Sequence, residues 1–309
     1  MSEAISILIP VKDGGEDLAR CLAAISRQRE TPPPEVVVVD SGSADGSVEL
    51  ARGFGAKVIE IAPEEFDHGG TRNLAARSAG GEILVFLSQD AEPVGDSWLS
   101  ALVSRLGVDE RLAGVYGRQL ARPGAVPPES YFLDYLYGAQ PRLQSLGDDA
   151  ALSMATTMFS NANAAIRRAV WEEIEFAEDL IMSEDQDWAR RALEAGWRLA
   201  YEPAAAVRHS HAYTVGSAFR RFFDSGVSAE RAYLSGPAAA GALRGNARRY
   251  ATGELRWLAR TGNRRWIPYA CAYELAKFAG LQLGRRHRLL GPTVSRKLSA
   301  RPDWWDRTS

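Results

Sequence analysis

The chain has 309 residues, 46% of them hydrophobic and 25% charged, with a formal net charge of −2. A chain of this length and composition can bury a full core, which excludes a disordered protein. The first apolar run, from Ile5 to Val11, is too short for a membrane span, has no basic segment before it and is followed at once by Lys12 and Asp13. We therefore expect neither a secretion signal nor a membrane anchor there.

The two cysteines, Cys21 and Cys271, lie far apart and have no metal-ligand spacing. A chain without a disulfide framework fits a reducing compartment, and we expect a cytoplasmic protein.

The small net charge hides an uneven distribution, because the segment from Arg244 to the C terminus has fifteen Lys and Arg residues against four Asp and Glu. A basic segment that also carries tryptophans suggests an anionic surface, either lipid headgroups or a phosphorylated acceptor. A solvated helical face and a self-association surface stay open as alternatives. The front half has no basic stripe and no recognition motif, so we expect no nucleic acid partner.

The first half alternates short β-branched runs with longer helical stretches. The predicted strands are Ile5–Pro10, Val36–Asp40, Lys57–Ile61 and Ile83–Ser88. The predicted helices between them include Asp17–Gln28 and Thr71–Ala79. This alternation predicts an α/β fold with a mostly parallel central sheet and helices on both faces. The second and fourth strands are continuously apolar, which is typical of central strands buried on both faces.

Acids follow three of these strands. Asp13, Asp40 and Asp90 each come at or just past a strand end. In open α/β sheets ligands bind at the carboxyl ends of the strands, so we expect these acids to meet in one crevice.

The second half is less regular. Residues 118–157 are rich in Pro, Gly and Tyr, with a short helix near Ser130–Tyr137, and we expect an active-site excursion with some mobility. The elements predicted after it are a strand Asn163–Ile166, a helix Ser183–Ala195, a strand Arg198–Tyr201 that ends before Pro203, and helices Val215–Leu234, Ala247–Arg260 and Trp266–Leu283.

The segment from Val36 to Ser47 is a buried strand that ends in Asp40, then a glycine-rich turn, then a helix. A carboxylate at that strand end can accept hydrogen bonds from a pyrimidine imide or a ribose. The alternative is an ordinary βα turn capped by Asp45 or Ser43. The segment resembles the strand-two signature of family 2 glycosyltransferases with the GT-A fold, which is Rossmann-like.

This resemblance covers about residues 4–225 and implies roles for the first strands. Family members hold the nucleoside with the first acid, here Asp40, and with residues after the Pro-Val of strand one, here Pro10 and Asp13 or its neighbours. Lys12-Asp13 stands where Tyr-Asn is commoner in the family.

The segment Glu65–Asn73 opens a helix, which places Arg72 and Asn73 in its first turn near the strand ends. An arginine there can clamp a diphosphate, and a helix N terminus favours phosphate. The alternative is an exposed glycine loop with a solvated arginine. The segment Phe66–Asn73 resembles the form found in rhamnosyltransferases of the family.

Ser88-Gln89-Asp90 stands where GT-A enzymes carry their Asp-x-Asp metal motif. One carboxylate with diphosphate oxygens and waters can hold Mg²⁺ or Mn²⁺. The alternative for Asp90 is a structural or capping role. Gln89-Asp90-Ala91 again resembles the rhamnosyltransferase branch, which implies that Gln89 and Asp90 meet the nucleotide sugar.

Ser183–Trp188 matches the family's Glu-Asp motif, in which the second acid, here Asp185, is the catalytic base, and Glu184 and Trp188 would contact the acceptor. The structural alternative is a capping box of Ser183 and Gln186 at a helix start.

Val207–His211 lies where many GT-A enzymes supply a histidine to the metal. A His-x-His strand puts both rings on one face. We choose His209 as the ligand, with His211 in reserve. The alternative is a pair of surface or packing histidines.

By resemblance the reaction is inverting transfer of L-rhamnose from dTDP-β-L-rhamnose to a saccharide or polyprenyl-diphosphate-linked saccharide, at the inner face of the plasma membrane. Residues 1–235 would form the GT-A domain, with 1–117 binding the nucleotide sugar and 118–235 the acceptor, and 236–309 would be a basic helical extension. The alternatives are a UDP- or GDP-sugar donor and a non-catalytic carbohydrate- or nucleotide-binding module. No Gly-x-Gly-x-x-Gly turn follows strand one, so a dinucleotide oxidoreductase is set aside.

Overall fold

A computed structural model describes residues 3–146, 152–232 and 237–307 of the chain, with side chains described outside 237–244. The strands of these residues are β1 Ile5–Val11, β2 Glu35–Asp40, β3 Lys57–Glu60, β4 Ile83–Leu87, β5 Glu92–Pro93, β6 Leu112–Leu120, β7 Arg142–Gln144, β8 Asn163–Arg167 and β9 Arg198–Arg208. The helices are α1 Gly15–Ser26, α2 Ser47–Gly53, α3 His68–Ser78, α4 Trp98–Gly107, α5 Pro127–Leu136, α6 Arg168–Glu173, α7 Glu184–Glu194, α8 Val215–Ala232, α9 Pro237–Arg260, α10 Ile267–Gly284, α11 His287–Leu298 and α12 Pro302–Arg307.

The strands form one sheet in the order β3-β2-β1-β4-β8-β6-β9-β5, with β7 paired to β9. The first four strands along this path, β3 to β4, run parallel. Beyond β4 the sheet becomes mixed, because β8 lies antiparallel between β4 and β6, whereas β6 and β9 are parallel. The predicted α/β sheet is confirmed, with the parallel part in the half of the chain where the strands and helices alternate.

The central strand β4 is apolar on both faces because helices pack against each of them. Ile83, Val85 and Leu87 lie in a core layer with side chains of α1 and α4. Leu84 and Phe86 point the other way, into a second layer with side chains of α3, α6 and α7. Successive strand residues alternate between faces, so helices on both sides require a continuous apolar run.

The prediction that the last strand ends before Pro203 is wrong. Strand β9 continues to Arg208, because its pairing with β6 jumps from Gly117↔Glu202 to Arg118↔Ala206 and leaves the proline in a bulge. A proline has no N–H for a ladder bond, and a bulge removes the need for one.

A buried asparagine supports this bulge. The Nδ2 group of Asn163 donates to the Ala205 carbonyl at 2.8 Å, and its Oδ1 accepts from Trp98 Nε1 at 2.8 Å. A Cβ on Gly117 would lie 2.0 Å from the Ala205 oxygen, so the site needs glycine. The bulge therefore carries β9 to the edge of the sheet where β4 ends.

The middle of the chain contains more regular structure than we predict. Strand β6 runs through Arg118 to Leu120, and α5 starts three residues before the predicted helix. Residues 147–151, part of the segment with predicted mobility, lie outside the described residues, as do Leu234 and the predicted domain boundary at 235/236.

The C-terminal helices pack against the α/β part. Helix α10 crosses α8 closely, since a Cβ on Gly280 would lie 2.3 Å from the Phe219 carbonyl oxygen. Trp305 of α12 packs with Met182 and Phe223, and Arg307 Nη1 donates to the Phe66 carbonyl at 3.0 Å. Within the described residues, no helix combines the length and apolar character that crossing a bilayer requires.

We expect Gly280→Ala to lower the free energy of unfolding by about 1–3 kcal/mol, because the added methyl group meets the backbone of α8. The matched control is Gly245→Ala in α9, where a Cβ has no neighbour within 4 Å among the described residues, and where alanine should raise stability by about 0.5–1 kcal/mol. Urea denaturation measures both. Equal stability of the two variants would contradict the close α8–α10 packing.

Candidate functional site

The loops after β1, β2 and β4 are tied together by hydrogen bonds at the carboxyl edge of the sheet. Gln89, after β4, accepts from the Lys12 N–H at 2.8 Å and donates to the Lys12 carbonyl at 3.0 Å. Asp13 Oδ1, after β1, accepts from the Ala44 N–H at 2.9 Å in the turn after β2. The convergence of these loops is what the strand order requires.

Asp40 is buried at the end of β2. Its Oδ2 accepts from the N–H groups of Gly42 and Ser43 at 2.9 Å each, and its Oδ1 accepts from the Ser43 hydroxyl. These bonds fix the turn that faces Asp13. A nucleoside contact for Asp40, Asp13 and the half-buried Pro10 stays a prediction.

Asp90 lies between two histidines that follow β9. One ligand atom from each of Asp90, His209 and His211 lies within 4.8 Å of the others. The separations are 3.4 Å from Asp90 Oδ1 to His209 Nε2 and 3.6 Å from Oδ2 to His211 Nδ1. Two ligands at right angles about 2.1 Å from a cation are about 3 Å apart, so small adjustments let all three bind one divalent ion.

The histidines lie outside a strand, which corrects the prediction of a His-x-His strand. Strand β9 ends at Arg208, and the two imidazole rings meet edge to face at 4.6 Å. Both rings nevertheless reach Asp90, because Arg208 at the end of β9 pairs with Glu92 of β5, two residues past Asp90.

Gln119 of β6 orients His209. Its Oε1 lies 2.8 Å from His209 Nδ1, while its Nε2 donates to Tyr137 Oη at 2.8 Å and Ser160 Oγ at 2.9 Å. With the Gln119 amide in this orientation, Oε1 is the acceptor and the neutral His209 ring carries its proton on Nδ1. The Nε2 lone pair of His209 is therefore directed to Asp90, as a metal ligand requires.

The cluster holds its ligands in the protonation states that bind metal. Without a metal, burial of Asp90 opposes ionisation, but a hydrogen bond from protonated His209 and the charges of the protonated His209 and His211 rings outweigh it and lower the pKa of Asp90 to about 2. Burial, with the His209 charge, lowers the pKa of His211 to about 4 against the pull of Asp90. At pH 7 the site offers a carboxylate and a neutral His211.

Asp185 lies in the first turn of α7. Its Oδ1 accepts from the Gln186 N–H at 2.8 Å and its Oδ2 from the Asn161 N–H at 3.3 Å. Burial and the charge of Glu184 raise the pKa of Asp185 to about 7, against the opposing charge of Arg72. A carboxyl group with this pKa can exchange a proton at neutral pH.

The predicted capping box at the start of α7 is wrong. Ser183 is the N-cap residue, but its φ is +65° and its side chain accepts no capping hydrogen bond. The first turn is instead held by Asp185 itself, through its bond to Gln186.

Glu184 and Arg72 form a buried ion pair beside Asp185. Arg72 Nη1 lies 3.1 Å from Glu184 Oε1 and donates to the His68 carbonyl at 2.9 Å. Burial opposes ionisation of Glu184, but the Arg72 charge outweighs it and lowers the pKa of Glu184. The guanidinium is thus held next to Asp185, while a diphosphate contact for Arg72 and an acceptor contact for Glu184 stay predictions.

Two predicted site residues are core residues. Trp188 is fully buried against Phe159 and Phe176, so the predicted acceptor contact is wrong. Asn73 is also fully buried, and its amide bonds to the backbone of Phe176 and to Trp171 Nε1. Its Nδ2 also donates to Glu178 Oε1 at 3.0 Å, so the amide has no group left for a nucleotide sugar.

Two residues near the metal cluster belong to no motif in the sequence. Gln119 is far from His209 along the chain and belongs to no motif. Arg122 lies just past β6, where it pairs with Asp17 and donates to the Asp90 carbonyl. The general rule that polar groups past strand ends meet at one edge is the one clue that points to Arg122.

We expect Gln119→Ala to weaken Mn²⁺ binding by about 10–100-fold, because His209 loses the acceptor that fixes its tautomer and ring orientation. The matched control is Gln144→Ala, which removes a buried glutamine that also donates two bonds, to Thr156 and Met158. Titration of Mn²⁺ followed by electron paramagnetic resonance measures the affinity. If both variants bind Mn²⁺ equally well, Gln119 does not position the ligand.

Comparison with known proteins identifies relatives of nearly the same length. The family model described as glycosyl transferase family 2 matches residues 6–175. The O-antigen chain rhamnosyltransferase RfbN of Salmonella typhimurium is 34% identical over 306 residues, which cover 98% of this chain and 96% of that protein. The O-antigen chain rhamnosyltransferase WbaN of Salmonella anatum is 35% identical over 283 residues, which cover 90% and 89%.

A solved structure shares the architecture. The mannosyltransferase PcManGT from Pyrobaculum calidifontis, in complex with GDP-Man and Mn²⁺, superposes with a TM-score of 0.60. It is 20% identical, and the match covers 91% of this chain and 88% of that chain.

Proposed function

This chain belongs to glycosyl transferase family 2 and has the GT-A fold, as its motifs predict, and from that premise we propose that it transfers L-rhamnose from dTDP-β-L-rhamnose to a saccharide acceptor. The observation that carries the proposal is the similarity to two O-antigen chain rhamnosyltransferases over nearly the whole chain. The product would enter a cell-surface polysaccharide.

Asp185 is the base in this proposal. The acceptor hydroxyl attacks the anomeric carbon, its proton passes to the Asp185 carboxylate, and the bond from that carbon to the diphosphate breaks on the opposite face. The configuration inverts, so a β-linked donor yields an α-linked product. The pKa of Asp185, about 7, supports this role because half of the carboxyl groups are ionised near neutral pH.

Asp90, His209 and His211 are proposed to hold the divalent metal. Two imidazoles with one carboxylate favour Mn²⁺ over Mg²⁺, which prefers oxygen ligands. When bound, the ion supplies positive charge to the departing diphosphate. Arg122 and Arg72 are proposed to add positive charge near the departing diphosphate. Arg122 contacts the Asp90 backbone, and Arg72 lies beside Asp185.

The nucleoside side of the site is proposed to comprise Pro10, Asp13, Asp40 and Gln89. The hydrogen bonds that join the loops after β1, β2 and β4 support this, because they form one rigid edge beside the metal cluster. The acceptor is proposed to be a saccharide on a polyprenyl diphosphate, which places the enzyme in the cytoplasm at the inner face of the plasma membrane.

We expect dTDP-rhamnose with Mn²⁺ to raise the melting temperature more than UDP-glucose, UDP-GlcNAc or GDP-mannose with Mn²⁺. A ligand that binds the native state at 100 times its Kd adds about 2.7 kcal/mol of stability. Thermal shift measurements make the comparison. A larger shift with a UDP- or GDP-sugar would overturn the donor and keep the enzyme class, and no shift with any of them would support a non-catalytic module.

We expect Asp185→Asn to bind donor normally and to lower kcat by about 10²–10⁴-fold, because the amide cannot accept the acceptor proton. In the wild type the base works when ionised, so kcat should rise with pH and level off above about 7. Steady-state pH profiles measure both effects. Normal turnover by the asparagine variant would refute the assignment.

Glu184→Gln tests the electrostatic coupling. Removing the negative charge that raises the pKa of Asp185, while Arg72 stays, should move the acid limb of the profile to lower pH. An unchanged limb would show that Glu184 does not set the pKa of the base.

A further inference from the structure

Helix α10 has two apolar faces, and one of them lies against solvent. Its buried residues Ala270, Lys277, Gly280 and Leu281 face the protein. Its exposed residues on the opposite side are Cys271, Ala272, Leu275, Phe278 and Leu283, which are spaced three to five positions apart from Ala272 onward. An apolar outer face is unusual for a surface helix, whose outer side is normally polar.

Large exposed apolar side chains are concentrated in this region. Five of the nine among the described residues fall between positions 275 and 294, on α10 and the following α11. Leu275 is 68% exposed and Leu289 of α11 is 84% exposed. Scattered single residues of this kind need no explanation, but such a concentration in two consecutive helices marks an interaction surface.

The same stretch is strongly basic. Residues 275–302 contain seven Lys and Arg and no Asp or Glu. Lys277 is buried and paired with Glu274, and Arg296 is paired with Asp306. Arg286, Arg288 and Lys297 are exposed and form no ion pair with the described part of the chain. The surface therefore joins apolar side chains to uncompensated positive charge.

We propose that this surface, formed by the outer face of α10 and by α11, docks on an anionic phospholipid bilayer. The apolar side chains enter the boundary between headgroups and acyl chains, and the arginines meet the lipid phosphates. The helices lie along the membrane and do not cross it.

Charge distinguishes the bilayer from a second copy of the chain. A twofold dimer through this surface would bring the same patch of each subunit together, and Arg286 and Arg288 would face like charges. An anionic bilayer complements both components of the surface. Trp304 and Trp305, which suggested an anionic partner at the level of sequence, instead pack in the cluster around Phe223.

The proposal deepens the membrane location proposed for the transfer reaction, and its test is independent of that reaction. The full chain is mixed with phosphatidylcholine vesicles, with or without phosphatidylglycerol, and bound protein is measured by flotation. No nucleotide sugar is present, so a failure to bind vesicles leaves the donor assignment intact, and a failed donor assignment leaves vesicle binding intact. We expect binding to the anionic vesicles alone, weakened by salt.

Matched variants locate the contact. Leu275→Ser with Leu289→Ser should weaken binding by at least about tenfold, since each loses an apolar side chain that is exposed in the free protein. Val108→Ser is the control, because Val108, the residue that follows α4, is 70% exposed. Arg286→Glu with Arg288→Glu should weaken binding by more than about tenfold, whereas Arg27→Glu, exposed at the end of α1, should not.

Four outcomes would overturn the proposal. The first is equal binding of the wild type to neutral and anionic vesicles, and the second is unchanged binding by both pairs of variants. The third is that the control variants lose as much binding as the test variants. The fourth is a wild type that does not bind vesicles but dimerises through Leu275 and Leu289, as measured by sedimentation. Circular dichroism melting confirms that the variants fold, which the exposure of the substituted side chains favours.

Discussion

The burial of the central strands on both faces is the constraint on which the rest of the structure depends. In β4, alternate residues such as Val85 and Phe86 enter two separate core layers, so no polar group can approach the strand from either side. The polar site groups that the central strands supply therefore lie at the strand ends, where the backbone turns outward. Asp40 and Asp90 stand at that edge for this reason, and the loops that carry the other groups are hydrogen-bonded to one another there.

The metal cluster depends on an irregularity of the sheet. Strand β9 reaches the edge because a bulge accommodates Pro203 and because Asn163 satisfies the carbonyl of Ala205 from inside the core. That extension delivers His209 to Asp90, and Gln119 on the neighbouring strand sets its tautomer. Asn163 and Gln119 thus help to determine the geometry of the metal cluster, although neither of them is one of its ligands.

The proposed base depends on a buried charge imbalance. Glu184 and Asp185 are adjacent acids, and the Arg72 cation lies 3.1 Å from Glu184. The Arg72 charge lowers the pKa of Glu184, so that Glu184 is ionised. Burial and the negative charge of Glu184 then raise the pKa of Asp185 to about 7. Two carboxyl groups in one site acquire different pKa values in this way, and the group with the raised pKa suits proton transfer.

The local pattern of the sequence determined much of the sheet and several of the site residues. The apolar runs of β2 and β4, the acids that follow them and the acids at the start of α7 are legible in the sequence, because periodicity and strand order follow from short-range geometry. Only the tertiary structure decided that Asn73 and Trp188 belong to the core and that Gln119 orients His209. Local periodicity predicts which face of a helix or strand a side chain lies on. It does not predict which distant element packs against that face, and this contact decides whether the side chain is buried.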